Sequence, residues 1–170
     1  VEQFRPDVMK HWRLDYETLK AINPKLIYVS LTSYGHNNAK QDAAGHDINY
    51  MSNSGLLSLV KDQSGKPIVP GFQLGDIGGG SYVTVMAIQA GIIRKLTKGK
   101  GSYISVSMTK GVLPLLTIPL QLEWSGLAHD YFNVIDGKTL VNYSVYQCAD
   151  DVWVGLGALE IKFWSIFCEC

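Results

Sequence analysis

The sequence predicts an α/β fold with a parallel sheet, and three observations carry that reading. Leu26-Ile27-Tyr28-Val29-Ser30-Leu31 is a continuous apolar, β-branched run bounded by Pro24 and Gly35, the pattern of a strand covered on both faces. Ser102 to Met108 alternates in polarity and is rich in β-branched residues, which reads as a second strand. The segments between and after them are helical in period, and a β-α-α-β-α order is that of an α/β domain.

Taken in order, Arg5-Pro6-Asp7-Val8-Met9 opens a short helix. Asp15-Tyr16-Glu17-Thr18-Leu19 starts another, which stops at Asn23-Pro24 because a residue before proline is held out of the α region. From Asp47, which reads as an N-cap, the apolar face Ile48, Met51, Gly55, Leu56 and Leu59 predicts a helix through about Val60. Lys61 to Phe72 is rich in Gly, Pro, Ser and charge and forms a surface connection. A long helix is expected from Asp76 through Tyr82, Met86, Ile88, Ile92 and Ile93 to Arg94-Lys95, with cations at its end and Gly99 and Gly101 as stop signals. An apolar helix from about Gly111 to Trp124 follows the second strand. The character then changes: Leu140 to Tyr146 and Val152 to Leu156 flank Ala149-Asp150-Asp151, a hairpin with an acidic turn. Residues 1–124 are therefore read as one domain, and 125–170 as a linker and the beginning of a smaller α+β domain.

The 170 residues are 46% hydrophobic and 18% charged, enough apolar material for a packed core. Lys plus Arg and Asp plus Glu balance at 15 each, so no basic field of the kind that binds nucleic acid or an anionic membrane is expected, and the partner is read as a small molecule. Cys148, Cys168 and Cys170 form no Cys-x-x-Cys pair and read as reduced thiols of an intracellular protein, expected in the cytoplasm or, in a eukaryote, in the peroxisome or mitochondrion. His11, His36, His46 and His129 show no i,i+4 pairing, so no metal site is expected. Gly137-Lys138-Thr139 ends like a phosphate-binding loop, but Phe132 stands where its first glycine belongs, and Gly78-Gly79-Gly80 lacks the dinucleotide-binding spacing. No signal peptide, transit sequence or membrane-spanning run is visible. The chain starts Val1-Glu2-Gln3-Phe4 and ends inside an amphipathic run, and both ends read as cut.

Chemistry concentrates between Ala44 and Gly80. Gly45-His46-Asp47 and Gly75-Asp76 each place a titratable group at an expected helix start, where unpaired N–H groups and a partial positive charge favour anions. The flanking glycines let a ligand approach the backbone. An imidazole and a carboxylate so placed suit proton transfer on a carbonyl compound. Asp76 could equally be a plain N-cap and His46 a hydrogen-bonded structural histidine.

Phe4-Arg5-Pro6-Asp7-Val8-Met9, Asn23-Pro24-Lys25-Leu26-Ile27-Tyr28, Gly45-His46-Asp47-Ile48-Asn49-Tyr50, Gly75-Asp76-Ile77-Gly78-Gly79-Gly80 and Gly99-Lys100-Gly101 together resemble the family III CoA-transferases of the CaiB/BaiF type, most of all their α-methylacyl-CoA racemase branch. The resemblance covers nearly the whole chain. It implies a Rossmann-like parallel-sheet large domain, present as a fragment from the middle of a longer polypeptide, and hence exposed apolar surface where missing strands pack. It also implies an interlocked homodimer when full length, an acyl-CoA substrate, and no metal or redox cofactor. Asp76 stands where the transferases carry the carboxylate that forms a mixed anhydride and the racemases carry one acid/base group. His46 is the histidine of the racemase branch, and Glu160 resembles the glutamate that orients it. Arg5 matches a residue of the loop that holds the CoA phosphates, and Lys10 and Arg13 flank His11 within it. His11 replaces a basic residue of that loop, Ile161 replaces a proline, and Asp136-Gly137-Lys138 lacks a second glycine.

The resemblance therefore implies racemisation or epimerisation of 2-methylacyl-CoA: a base removes the α-proton, the enolate oxygen is met by N–H donors at Ile77, Gly78 and Gly79, and a second group reprotonates the opposite face. A CoA-transferase using Asp76 as nucleophile is the alternative, and a CoA-ester-binding protein without turnover is a third reading.

Overall fold

In the computed structural model the described residues are 1–62, 64–127 and 140–169. The Gly137-Lys138-Thr139 turn, the Asp136-Gly137-Lys138 segment, His129 and Cys170 lie outside them. The chain divides into two compact units, Val1–Leu116 and Thr117–Cys170.

In the first unit β1 (Ile27–Thr32) and β2 (Ser102–Ser107) pair in parallel, with Ile27 opposite Ser102 and Thr32 opposite Ser107. On the other edge of β1, Glu2 N–H donates to Val29 O and Leu31 N–H donates to Glu2 O, each at 2.9 Å. Both edges of β1 are thus paired at its centre, and Val29 and Ser30 are buried as the unbroken apolar run requires.

Helix α1 (Val8–His11) is short, and α2 (Tyr16–Ile22) is capped by Asp15, whose Oδ1 accepts from Glu17 N–H at 3.1 Å and Thr18 N–H at 3.2 Å. The phenol of Tyr28, buried beside Tyr16 and Tyr103, is pushed up to about 12 chiefly by desolvation. Helix α3 (Asp47–Ser54) is shorter than its apolar period predicts, because Gly55 takes a left-handed φ of 87° and ends it; Leu56–Leu59 continues as a 3-10 turn. His46, not Asp47, occupies the N-cap position of α3.

The long helix starts before Asp76. Leu74–Tyr82 is a π-helical turn that leads directly into α4 (Val83–Lys98), closed by Gly99 at φ 67°. The single apolar helix expected from Gly111 to Trp124 is instead three pieces: α5 (Met108–Gly111), a 3-10 turn (Leu113–Leu116) that contains Pro114, and α6 (Thr117–Trp124) in the second unit. Val29, Met51, Val112 and Leu116 lie in the core. The π-turn crosses α5 backbone to backbone: a Cβ added to Gly111 would stand 1.9 Å from Gly79 O. Exposed apolar surface is present along α4, where Tyr82, Val85, Met86, Ile92, Ile93 and Leu96 share one face at helical spacing.

In the second unit β3 (Tyr143–Gln147) and β4 (Trp153–Gly157) form an antiparallel hairpin, Tyr143 opposite Gly157 and Gln147 opposite Trp153. Asp151, at φ 62°, turns the chain, and Cys148 N–H donates to Val152 O at 2.8 Å. Helix α7 (Ile161–Cys168) follows Glu160. No helix among the described residues is long and apolar enough to cross a membrane.

Candidate active site

A cavity of about 620 Å³ opens in the first unit beside Leu31 and Thr32 at the carboxyl end of β1, where open α/β sheets bind ligands. Arg5, His46, Tyr50 and Asp76 line it.

His46 is held through its backbone. Its N–H donates to Asn49 Oδ1 at 3.0 Å, and its carbonyl accepts from Asn49 N–H at 2.8 Å, a capping-box arrangement that closes the first turn of α3. Just before it, Gly45 O accepts from Tyr50 Oη at 2.5 Å, while Ser33 Oγ donates to the same phenol oxygen at 2.9 Å. Tyr34 packs edge-on against Tyr50 with ring centres 5.7 Å apart. A Cβ at Gly45 would come 2.6 Å from Tyr34 Oη and 2.7 Å from Tyr50 Cε1, so only glycine lets the chain pass between the rings. The imidazole itself stays exposed.

Asp76 reaches the same cavity from the π-turn. It is not the N-cap of its helix: the turn begins at Leu74, and the Asp76 N–H donates to Asp47 Oδ1 at 2.9 Å. Burial pushes the Asp76 carboxyl up, the neighbouring Asp47 charge pushes it further, and His46 opposes both. A carboxyl raised on folding stabilises the fold below its unfolded value and loses that contribution as pH rises through its folded value. Asp76→Asn is therefore expected to melt above the native protein at pH 7 and to lose that advantage near pH 3, as thermal scans at the two pH values would read. Equal melting at pH 7 would contradict the raised value.

Other expected site residues are placed differently. Ile77, Gly78 and Gly79 do not line the cavity. Ile77 N–H donates to Gln73 O at 3.1 Å, and Gly79 is buried against Met108 O and Val112. The helical turn starts upstream of them, at Leu74, and the Ile77 N–H is taken up within it. Arg5 lines both this cavity and a smaller one of about 270 Å³, where Lys10, His36 and Tyr103 also stand. Ser30 Oγ and His36 Nε2 share a hydrogen bond of 2.9 Å on its wall. Arg13, at φ 56°, lines neither cavity. Glu160 belongs to the second unit, where it is exposed and its carbonyl accepts from Phe163 N–H at 2.9 Å. Among the described residues no group of three His, Cys, Asp or Glu side chains could hold a metal ion.

Asp47, Tyr50 and Ser33 were not legible as site residues. Tyr50 lies one helical turn after His46, a spacing that does signal a shared face, whereas the Asp47–Asp76 contact spans 29 residues and leaves no local trace.

The model of CoA-transferase family III matches residues 1–170. The α-methylacyl-CoA racemase of Mus musculus is 33% identical over 168 residues, covering 98% of this chain and 44% of that protein. The succinate–glutarate CoA-transferase of Agrobacterium fabrum is 37% identical over 108 residues, 64% of this chain and 27% of that protein. Among solved structures, Rv3272 of Mycobacterium tuberculosis superposes with a TM-score of 0.78 at 24% identity, over 99% of this chain and 42% of that one. A CaiB/BaiF family protein of Brucella suis superposes at 0.74 with 29% identity, over 89% and 40%. The chain thus spans less than half the length of these relatives. With the family model matched from end to end and both a racemase and a transferase among its relatives, the chain belongs to CoA-transferase family III.

Proposed function

We propose that the protein carrying this chain interconverts the epimers of a 2-methylacyl-CoA by two-base α-proton transfer. The observation that supports this most is that an exposed imidazole and a carboxyl with raised proton affinity, His46 and Asp76, face one cavity. Removal of the proton next to a thioester carbonyl leaves an enolate with its charge mostly on oxygen. The neutral His46 ring takes the proton from one face while protonated Asp76 delivers one to the other, and the roles exchange in the reverse direction. Backbone N–H groups at the starts of the two helical segments, those of Asp47 and Ile48 on α3 and of Ile77, Gly78 and Gly79 on the π-turn, are the candidate donors to the enolate oxygen, an interaction worth about 3 kcal/mol per donor in comparable oxyanion sites. Arg5 and Lys10, with Arg13 nearby in sequence, bind the CoA phosphates. The CoA thioester is the substrate, no metal or redox cofactor is called on, and the whole protein works as an interlocked homodimer.

The test is solvent exchange. The native protein, given a 2-methylacyl-CoA in D2O without any acceptor acid, is expected to incorporate deuterium at the α-carbon. Acceptor-dependent acyl transfer with no deuterium uptake would replace this reading by a CoA-transferase using Asp76 as nucleophile, which the transferase relatives keep as the second reading. CoA-ester binding without either turnover would leave a binding protein.

A further inference from the structure

Asp47 is the first residue of α3, next to His46 in sequence, yet its side chain belongs to the other half of the site. Its Oδ1 accepts the Asp76 N–H at 2.9 Å. That N–H is one of the donors a helix leaves without an internal acceptor at its start, and the residue before the turn, Gln73, offers no side-chain cap. The missing cap is supplied by a different helix. The fit is close: a Cβ at Gly75 would stand 3.0 Å from Asp47 Oδ1, 3.2 Å from Asp47 O and 3.2 Å from Tyr50 Cβ, so glycine at that position lets the turn lie against α3.

We propose that Asp47 is a positioning residue for Asp76, its carboxylate fastening the π-turn to α3 and keeping a fixed negative charge beside the group that moves the proton. This deepens the proton-transfer reading of Asp76 and rests on it. Around Asp76 stand His46, Asp47 and Tyr50 from α3 and Arg5 across the cavity; α5, packed on the turn, carries Lys110, and the charges of α4 lie in its last two turns. Within this set Asp47 is the carboxylate, and a like charge favours the protonated neighbour. Asp76 is thereby kept ready to donate a proton in one direction and made a stronger base in the other.

Two variants of the native polypeptide separate charge from geometry. Asp47→Asn keeps an acceptor oxygen for the Asp76 N–H and removes the charge; Asp47→Ala removes both. With ¹³Cγ-labelled aspartate and Asp76→Asn to assign the resonance, the Asp76 carboxyl is expected to titrate at lower pH in Asp47→Asn than in the native protein. The limb of the pH–rate profile that reports Asp76 should move the same way. Asp47→Ala should lower turnover about 10²-fold, the loss typical of a reacting group displaced by about 1 Å. An unchanged Asp76 titration in Asp47→Asn overturns the proposal, because a purely structural cap would lower the melting temperature and leave the titration in place. If Asp47→Ala does not fold, Asp47→Asn decides alone. The titration needs no substrate, so its failure is distinguishable from that of the deuterium test, which would remove the proton-transfer reading on which this inference rests.

Discussion

His46→Ala abolishes α-proton abstraction from one epimer of a 2-methylacyl-CoA and spares exchange from the other, and Asp76→Asn shows the reverse preference. This is the expected outcome if the two groups serve opposite faces of one carbon. Each reacting heavy atom must come about 3 Å from the α-carbon, which places the imidazole nitrogen and the carboxylate oxygen roughly 6 Å apart across the cavity they both line. Loss of a positioned acid or base costs about 10²–10⁴-fold in rate, far above the error of a deuterium wash-in assay. A transferase answers differently. There Asp76→Asn removes the nucleophile and with it all acyl transfer, while His46→Ala has no stereochemical consequence. The measurement is deuterium uptake into each separate epimer without an acceptor acid. Equal loss of exchange from both epimers in the two variants would contradict a division of labour by face.

Gly111→Ala is expected to lose at least about 3 kcal/mol of folding stability, at the upper end of what overpacking costs, or to fail to fold. The reason is the crossing of the π-turn over α5. A methyl group on Gly111 would lie 1.9 Å from Gly79 O, 2.6 Å from Gly79 C and 2.8 Å from its Cα, all backbone atoms with no rotamer to yield. From the other side, a Cβ on Gly79 would meet Met108 O at 2.4 Å and Val112 Cγ1 at 2.6 Å. Gly71→Ala is the control, since nothing lies within 4 Å of a Cβ built there and a change within about 0.5 kcal/mol is expected. Urea unfolding of the two variants compares them directly. Equal midpoints would show that the crossing relaxes at little cost.

The sheet was legible where residue type and burial agree: the run through Val29 is apolar because both edges and both faces of β1 are occupied at that point. The helices were legible in place and misread in length. Gly55 fits the apolar period of α3 as well as alanine would, and nothing local states that its backbone turns left-handed. Pro114 lies in an apolar stretch whose hydrophobicity hides its effect on the ladder. For the cavity, glycine beside a titratable group was enough to single out His46 and Asp76, both of which line it. The same reasoning did not foresee that the helical segment carrying Asp76 begins two residues earlier, at Leu74, because a π-turn has no signature in periods of 3.6.

The hydrogen bonds that hold position 46 are made by its backbone N–H and carbonyl, with Asn49 and, one residue earlier, Tyr50 as partners. Those backbone bonds do not depend on which side chain stands at position 46, and the arm formed by Asp47, Gly75 and Asp76 is held by its own contacts. On the reading proposed above, a change at position 46 alone would leave the Asp76 carboxylate in place, as a partner in proton relay or, with the imidazole gone, as a nucleophile in its own right.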